Sequence, residues 1–323
     1  MISHAHSAPL TVFASSTRPA ARFAWLTLGY NIAVILWGAY VRATGSGAGC
    51  GNHWPLCNGD ILPKTPQAQT LIEFMHRVTS GMALIMVCSL FIWCWRKTSK
   101  GDWARYSALA GLVLLFNEAI LGALLVVFEH VAQDRSAGRA FFLCLHFGNT
   151  LILLAALALT AKWLSNGERH FVVIKKPRDV MAIGLGLVAT MSIGITGALA
   201  ALGDTIFPAV SLRSSLLQDF SSGSHALLRL RLLHPAAAMT GALYVLWVIL
   251  KNSGKRGRLS WTVLFLVGTL VAQVGLGVVN VVLLAPVWLQ IVHLFVAELF
   301  WILLVLASAD LLLASQESMS VKG

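Results

Sequence analysis

The stretch LIEFMHRVTSGMALIMVCSLFIWCW, residues 71–95, closed by Arg96 and Lys97, decides the fold. Val78 to Trp95 runs without a single charged side chain, and a helix needs about 20 mostly apolar residues to cross a bilayer. The basic pair at its end marks a cytoplasmic boundary, because Lys and Arg collect on that side of membrane spans. Near its start the same run carries Glu73 and His76, polar groups that an apolar slab penalises and that usually serve a function there.

The rest of the chain repeats this character. Of 323 residues 57% are hydrophobic and 11% charged, far from the balance of a soluble globular domain. Eight spans are expected, beginning near Ala24, Leu71, Arg105, Ala140, Val180, Ala226, Trp261 and Val287. The net charge of +11 lies mainly in short gaps between apolar runs, which reads as membrane topology and excludes a nucleic-acid partner. Arg96, Lys97 and Lys100 follow span 2, Arg169, Lys175, Lys176 and Arg178 follow span 4, and Lys251, Lys255, Arg256 and Arg258 follow span 6. Those gaps are expected to be cytoplasmic, as are both termini, and the setting expected is a bacterial inner membrane. The first twenty residues hold Pro9, Pro19 and several serines without an apolar core of signal-peptide length, so a flexible tail and an uncleaved first span are expected.

A weak internal repeat divides the chain. Leu121-Gly122 precedes a Val-rich run in span 3, as Leu276-Gly277 does in span 7, and spans 2 and 6 each carry a His followed by small residues. The expected fold is therefore an all-α polytopic membrane protein of eight transmembrane helices in two pseudo-symmetric four-helix bundles. Residues 1–20 form a cytoplasmic tail, 21–165 the first half, 166–179 a cytoplasmic linker, 180–315 the second half and 316–323 a second tail.

Six of the ten histidines, His4, His6, His53, His130, His170 and His225, fall in tails, loops or span margins. The other four are His76, His146, His234 and His293, one on each even-numbered span. Even spans all enter from the outer face, and at about 1.5 Å per residue the four lie in one layer roughly 6–12 Å below it. One intramembrane histidine is readily explained as an interhelical hydrogen-bonding group. Four at matched depth point instead to axial ligation of heme iron by imidazoles from facing helices. No Cys, Asp or second His stands at chelating spacing beside any of them, so no separate zinc or copper site is expected.

The run Gly38-Ala39-Tyr40-Val41-Arg42-Ala43-Thr44-Gly45-Ser46-Gly47, then Cys50, then Trp54-Pro55-Leu56-Cys57-Asn58-Gly59, then Glu73-Phe74-Met75-His76-Arg77, resembles the heme A synthase family. The likeness continues through His146, Gly203-Asp204-Thr205, Phe207-Pro208, His234-Pro235 and His293. It implies oxidation of the C8 methyl of heme O to the formyl group of heme A, used by heme-copper terminal oxidases. It also implies a heme b cofactor in the second half, on His234 and His293, and processing of heme O in the first, on His76 and His146. The partners this implies are a heme O synthase upstream, an external electron donor and the terminal oxidase assembly machinery, with the lipid bilayer as solvent and a homo-oligomer as a further expectation.

Glu73 stands three residues before His76, on one helical face, where His234 has Arg231. A carboxylate beside a porphyrin edge suits proton acceptance or stabilisation of positive charge, which makes Glu73 the catalytic candidate. Arg231, like Arg77, suits a heme propionate. The competing reading of Glu73 is an i,i+4 ion pair with Arg77. Cys50 and Cys57 share an outer loop; in an oxidising compartment such a pair forms a disulfide, and the resemblance supports one, either as a loop staple or with a redox role. Cys88, Cys94 and Cys144 read as small apolar residues. Glu118 matches Gln273 when Gly122 is set against Gly277, with helix–helix hydrogen bonding the simpler reading of both. Glu298 lies off the face of His293 and receives no role. Trp25, Trp37, Trp93, Trp95, Trp247 and Trp301 suit interfacial or lipid-facing positions.

The competing functions are a di-heme b-type electron-transfer protein, which needs no Glu73, and a histidine-relay transporter, which needs no heme. Heme O synthase itself is disfavoured because no Asp-x-x-x-Asp pattern for magnesium and diphosphate occurs in the chain.

Overall fold

The computed structural model describes residues 10–64, 66–167, 171–173, 176–252 and 261–315. His4, His6, His170, Arg169, Lys175, Lys255, Arg256, Arg258 and the segment 316–323 lie outside the described residues. In chain order come α1 (Leu10–Ala43), a 3-10 turn (Ser46–Ala48), α2 (Ala68–Lys97), α3 (Trp103–Val127) and α4 (Ala137–Asn166). There follow β1 (Phe171–Val173), α5 (Pro177–Ile206), α6 (Leu212–Asp219), α7 (Ala226–Asn252), α8 (Trp261–Val282), α9 (Val287–Leu312) and β2 (Leu313–Ser315). Every α-helix but α6 is long and apolar enough to cross a membrane, α1 doing so from Arg18. The protein is an all-helical, polytopic membrane protein with eight spans among the described residues.

The ends of the helices follow local chemistry. Asp102 caps α3 by accepting from the Ala104 N–H at 2.9 Å, and Ser136 caps α4 by accepting from the Arg139 N–H at 3.2 Å, each satisfying a donor the first turn cannot pair internally. Gly167 ends α4 at φ 67°, a conformation that favours glycine. Pro177 opens α5, where its missing N–H costs nothing.

Four contacts close the first half into a ring: α1 on α2, α2 on α3, α3 on α4 and α4 on α1. The second half closes the same way through α5 on α7, α7 on α8, α8 on α9 and α9 on α5. The rings meet where α1 and α4 pack on α5 and α9. There α4 contributes Leu153, Leu154, Leu157, Ala158 and Ala161 to a buried apolar cluster that also takes in residues of α1, α2, α3 and α9, and the Trp301 Nε1–H donates to the Leu151 carbonyl at 2.7 Å. Large apolar side chains such as Ile85, Val113, Phe265 and Val271 are exposed on the outside, which suits lipid and would be a liability in water.

Several features differ from the sequence expectations. Helix α1 extends back to Leu10, into the stretch 1–20 expected as a tail. Inside the expected linker 166–179, Phe171–Val173 pairs antiparallel with Leu313–Ser315, a contact between distant segments that no local pattern announces. Helix α6 appears in the fifth gap, with Ser211 and Ser214 forming a reciprocal cap. Trp301 is buried at the junction of the halves rather than facing lipid, because its indole N–H finds a carbonyl there.

Candidate functional site

His76 lies on α2 and His146 on α4; neither helix packs closely on the other, so they stand diagonally across the first ring. His234 on α7 and His293 on α9 stand the same way across the second. All four are half-buried. Counting from the N-terminal ends of these helices at about 1.5 Å per residue puts all four roughly 9–14 Å along their helices, in one layer. Within each ring the two imidazoles lie in electrostatic range of each other.

Each imidazole sits against a glycine of the preceding spanning helix. A Cβ on Gly38 would come within 2.9 Å of His76 Cε1, and one on Gly197 within 2.9 Å of His234 Cε1. For Gly122 and His146 the distance is 3.7 Å, and for Gly277 and His293 it is 3.3 Å. At Gly38 and Gly197 the missing side chain is therefore what lets the ring occupy its place. The Nδ1 atoms of His76 and His293 are buried and have no hydrogen-bond partner, whereas His234 Nδ1 meets the Thr196 hydroxyl at 3.2 Å. Gln273 Nε2 lies 3.2 Å from His293 Nε2. Paired imidazoles on diagonal helices, each seated in a glycine notch, fit the axial ligand set of a heme.

His146 differs from the other three. Glu118 Oε1 on α3 stands 3.0 Å from its Nδ1, off the line of a good hydrogen bond. The carboxylate accepts from Asn149 Nδ2 at 2.5 Å and from the Thr150 hydroxyl, so it is fixed in place by α4 itself. Glu118 thus joins helices, as the simpler sequence reading had it, and also touches the histidine.

Above the first ring, Cys50 and Cys57 form a disulfide. Glu73 is buried beneath this loop: its Oε2 accepts from the Cys50 backbone N–H at 2.8 Å, while its Oε1 pairs with Arg77 Nη2 at 2.5 Å. Arg77 Nη1 donates to the His53 and Leu56 carbonyls, each at 2.6 Å. The i,i+4 pair weighed from the sequence is present, and Arg77, expected at a propionate, is directed to the loop. In the second ring Arg231 pairs with Asp204 at 2.9 Å and Asp219 at 2.5 Å. Its guanidinium is likewise held by protein groups, and its carboxylates lie 27 and 12 residues away, a pairing that spacing alone does not reveal.

Arg42 lies in the last turn of α1. It donates across the junction to the Ala201 carbonyl at 2.8 Å, the Thr205 hydroxyl at 2.9 Å and Gln290 Oε1 at 3.0 Å. On the outer side of the third gap, His130 Nδ1 stands 2.8 Å from Asp134. Burial works to raise the Asp134 carboxyl, but its bonds from Ser136 and His130 outweigh this and hold it below the usual carboxylate range.

A family model described as cytochrome oxidase assembly protein matches residues 21–305. A protein named protoheme IX farnesyltransferase from Thermus thermophilus is 44% identical over 298 residues, covering 90% of this chain and 48% of that protein. Heme A synthases from Alkalihalophilus pseudofirmus, 38% identical over 146 residues, and Geobacillus kaustophilus, 39% over 149, are matched over 46% and 44% of their lengths. The chain thus spans about half the length of the curated relatives it matches. With the family model running through both rings and all four intramembrane histidines, the chain belongs to the cytochrome oxidase assembly protein family that takes in the heme A synthases.

Proposed function

We propose that this chain is a heme A synthase, an oxidoreductase that converts the C8 methyl of heme O to the formyl group of heme A for heme-copper terminal oxidases. The observation that carries the reading is the repeated placement of one histidine on each of two diagonal helices in both rings, each against a glycine of the preceding spanning helix, with a carboxylate and a disulfide loop beside the first pair. In this reading His76 and His146 hold heme O as substrate, and His234 and His293 hold heme b. The bound cofactor supplies one-electron transfer. Taking a methyl to a formyl group removes four electrons and adds one oxygen atom, so an external electron acceptor or donor chain must be served.

The protein's own contribution is placement. The glycine notches set the imidazoles, the apolar walls exclude water, and Glu73, one turn outward from His76, is the group assigned to accept a proton from the reacting edge. Its ion pair with Arg77 offsets the cost of burying the charge. The halves are proposed as pseudo-symmetric bundles, the membrane as a bacterial inner membrane with both ends of the chain cytoplasmic, and a heme O synthase as the upstream partner.

The name of the Thermus relative favours a second reading, prenyl transfer to heme. Against it stands the absence of any Asp-x-x-x-Asp pattern in this chain, which magnesium diphosphate chemistry needs. One experiment separates the readings: expression with and without a heme O synthase, followed by pigment extraction and chromatography. Heme A is expected only when heme O is supplied. Protein that retains heme but yields no heme A from supplied heme O overturns the proposal, and new heme O formed without the partner enzyme establishes the second reading.

A further inference from the structure

Among the four intramembrane histidines only His146 has a carboxylate at its Nδ1, Glu118 at 3.0 Å. Like those of His76 and His293, this Nδ1 makes no hydrogen bond of good geometry, but theirs have no carboxylate beside them, and that of His234 faces a neutral hydroxyl. On α8, Gln273 is the amide that aligns with Glu118, and it touches His293 at the other ring nitrogen. The first ring therefore holds a carboxyl group behind one imidazole, and among the described residues the second holds a hydroxyl and an amide at its pair.

We propose that Glu118 is a positioning residue that makes His146 the strongest electron donor of the four ligands, so that the first ring favours the more oxidised state of the iron it holds. This rests on the heme reading given above. The argument is elementary: a carboxylate accepting from the distal N–H of a ligating imidazole pushes electron density toward the metal and fixes the ring's tautomer and orientation. The 3.0 Å separation is short enough for this. Asn149 and Thr150, one turn beyond His146 on α4, hold the carboxylate from the far side. A group fixed by two donors on the ligand's own helix moves with the ligand, as an orienting residue must. Hydrogen bonding between helices alone needs neither the charge nor the approach to Nδ1, since an amide would satisfy Asn149 and Thr150.

The test is a spectroelectrochemical titration of purified protein loaded with protoheme, with the signals assigned to each ring by their loss in His146→Ala and His293→Ala. In Glu118→Gln, which keeps size and hydrogen-bonding capacity, the reduction potential of the first-ring heme should rise while that of the second ring stays put. In Glu118→Asp the potential should return toward the wild-type value. A purely structural role predicts the reverse order, because Gln fills the space and Asp does not. An unchanged first-ring potential in Glu118→Gln, or a larger shift in Asp than in Gln, overturns the proposal. If neither variant accumulates, the ferric low-spin EPR spectrum of the wild type carries the test. Its first-ring signal should lie apart from the second in the direction of an imidazolate-like ligand, and coincident signals overturn the proposal. Protein that takes up no heme in either ring refutes the heme reading itself, a distinct outcome.

Discussion

Glu73 shows how one buried carboxylate can serve two ends. It accepts from the Cys50 N–H with one oxygen and pairs with Arg77 through the other, which anchors the disulfide loop to α2. Glu73→Gln keeps an acceptor for one of these contacts and removes the charge. If the charge also serves the reaction, resident heme should stay while conversion of heme O falls on the order of a hundredfold, matching about 3 kcal/mol of lost transition-state stabilisation. Near wild-type heme A in the extracted pigment would reduce Glu73 to a loop anchor. The contacts that are hard to read from sequence are those whose partners lie in other elements. Glu73 and Arg77 share a helix face, so their pair was visible, but the reach of Arg77 to the His53 and Leu56 carbonyls and of Arg231 to two carboxylates was not. Glu298 was set aside because it lies off the His293 face; it is fully buried with neither oxygen bonded. Such a group costs roughly 1–3 kcal/mol. Glu298→Met should therefore raise thermal stability in detergent without loss of heme, and a fall in stability would mean that the carboxyl has a partner worth more than its desolvation.

At the scale of helices, the four histidines were legible because depth follows from counting residues, and the spans were legible because length and apolarity are local properties. The starts at Ala226, Trp261 and Val287 coincide with those read from the sequence. Helix α6 was not legible, since eight residues with scattered leucines give no periodic signal and its place is set by Asp219 gripping Arg231 on α7. The glycine notches were half legible: Gly122 and Gly277 marked the repeat, but that every histidine meets a glycine of its neighbour is a packing fact. The distances grade these notches. Alanine at Gly197 would collide with the His234 ring, and alanine at Gly38 with that of His76, whereas a Cβ at Gly122 makes an ordinary contact with His146. Gly197→Ala should thus strip resident heme, Gly38→Ala should spare it and stop turnover, and Gly122→Ala should retain both. Absorbance of the purified variants and heme A yield check all three together. Equal behaviour of Gly38→Ala and Gly122→Ala would show that the ring yields without cost.

For the whole molecule, the question is what joins two rings that each close on themselves. The junction is mostly apolar, built around α4 and α9, with the Trp301 indole bonded to the Leu151 carbonyl. Near the outer surface it is polar, and there Arg42 acts as a clamp from α1 to α5 and α9. These three bonds go to a carbonyl, a hydroxyl and a side-chain amide, so the guanidinium is held by neutral acceptors in a planar fork that a lysine cannot reproduce. Arg42→Met removes these donors while keeping the aliphatic stem, and hydrogen bonds to charged groups are worth roughly 1.5–3 kcal/mol. The variant should melt earlier in detergent by a shift of about 2 kcal/mol, and Arg42→Lys should recover only part of it. Because the clamp bridges the two rings, the loss should fall on both hemes together during heating, unlike the one-sided losses expected of Gly38→Ala and Gly197→Ala. Thermal scans following each heme's absorbance make the comparison. If Arg42→Met released one heme well before the other, the arginine would be supporting a single ring rather than the junction, and the cohesion of the halves would rest on the apolar seam of α4 and α9.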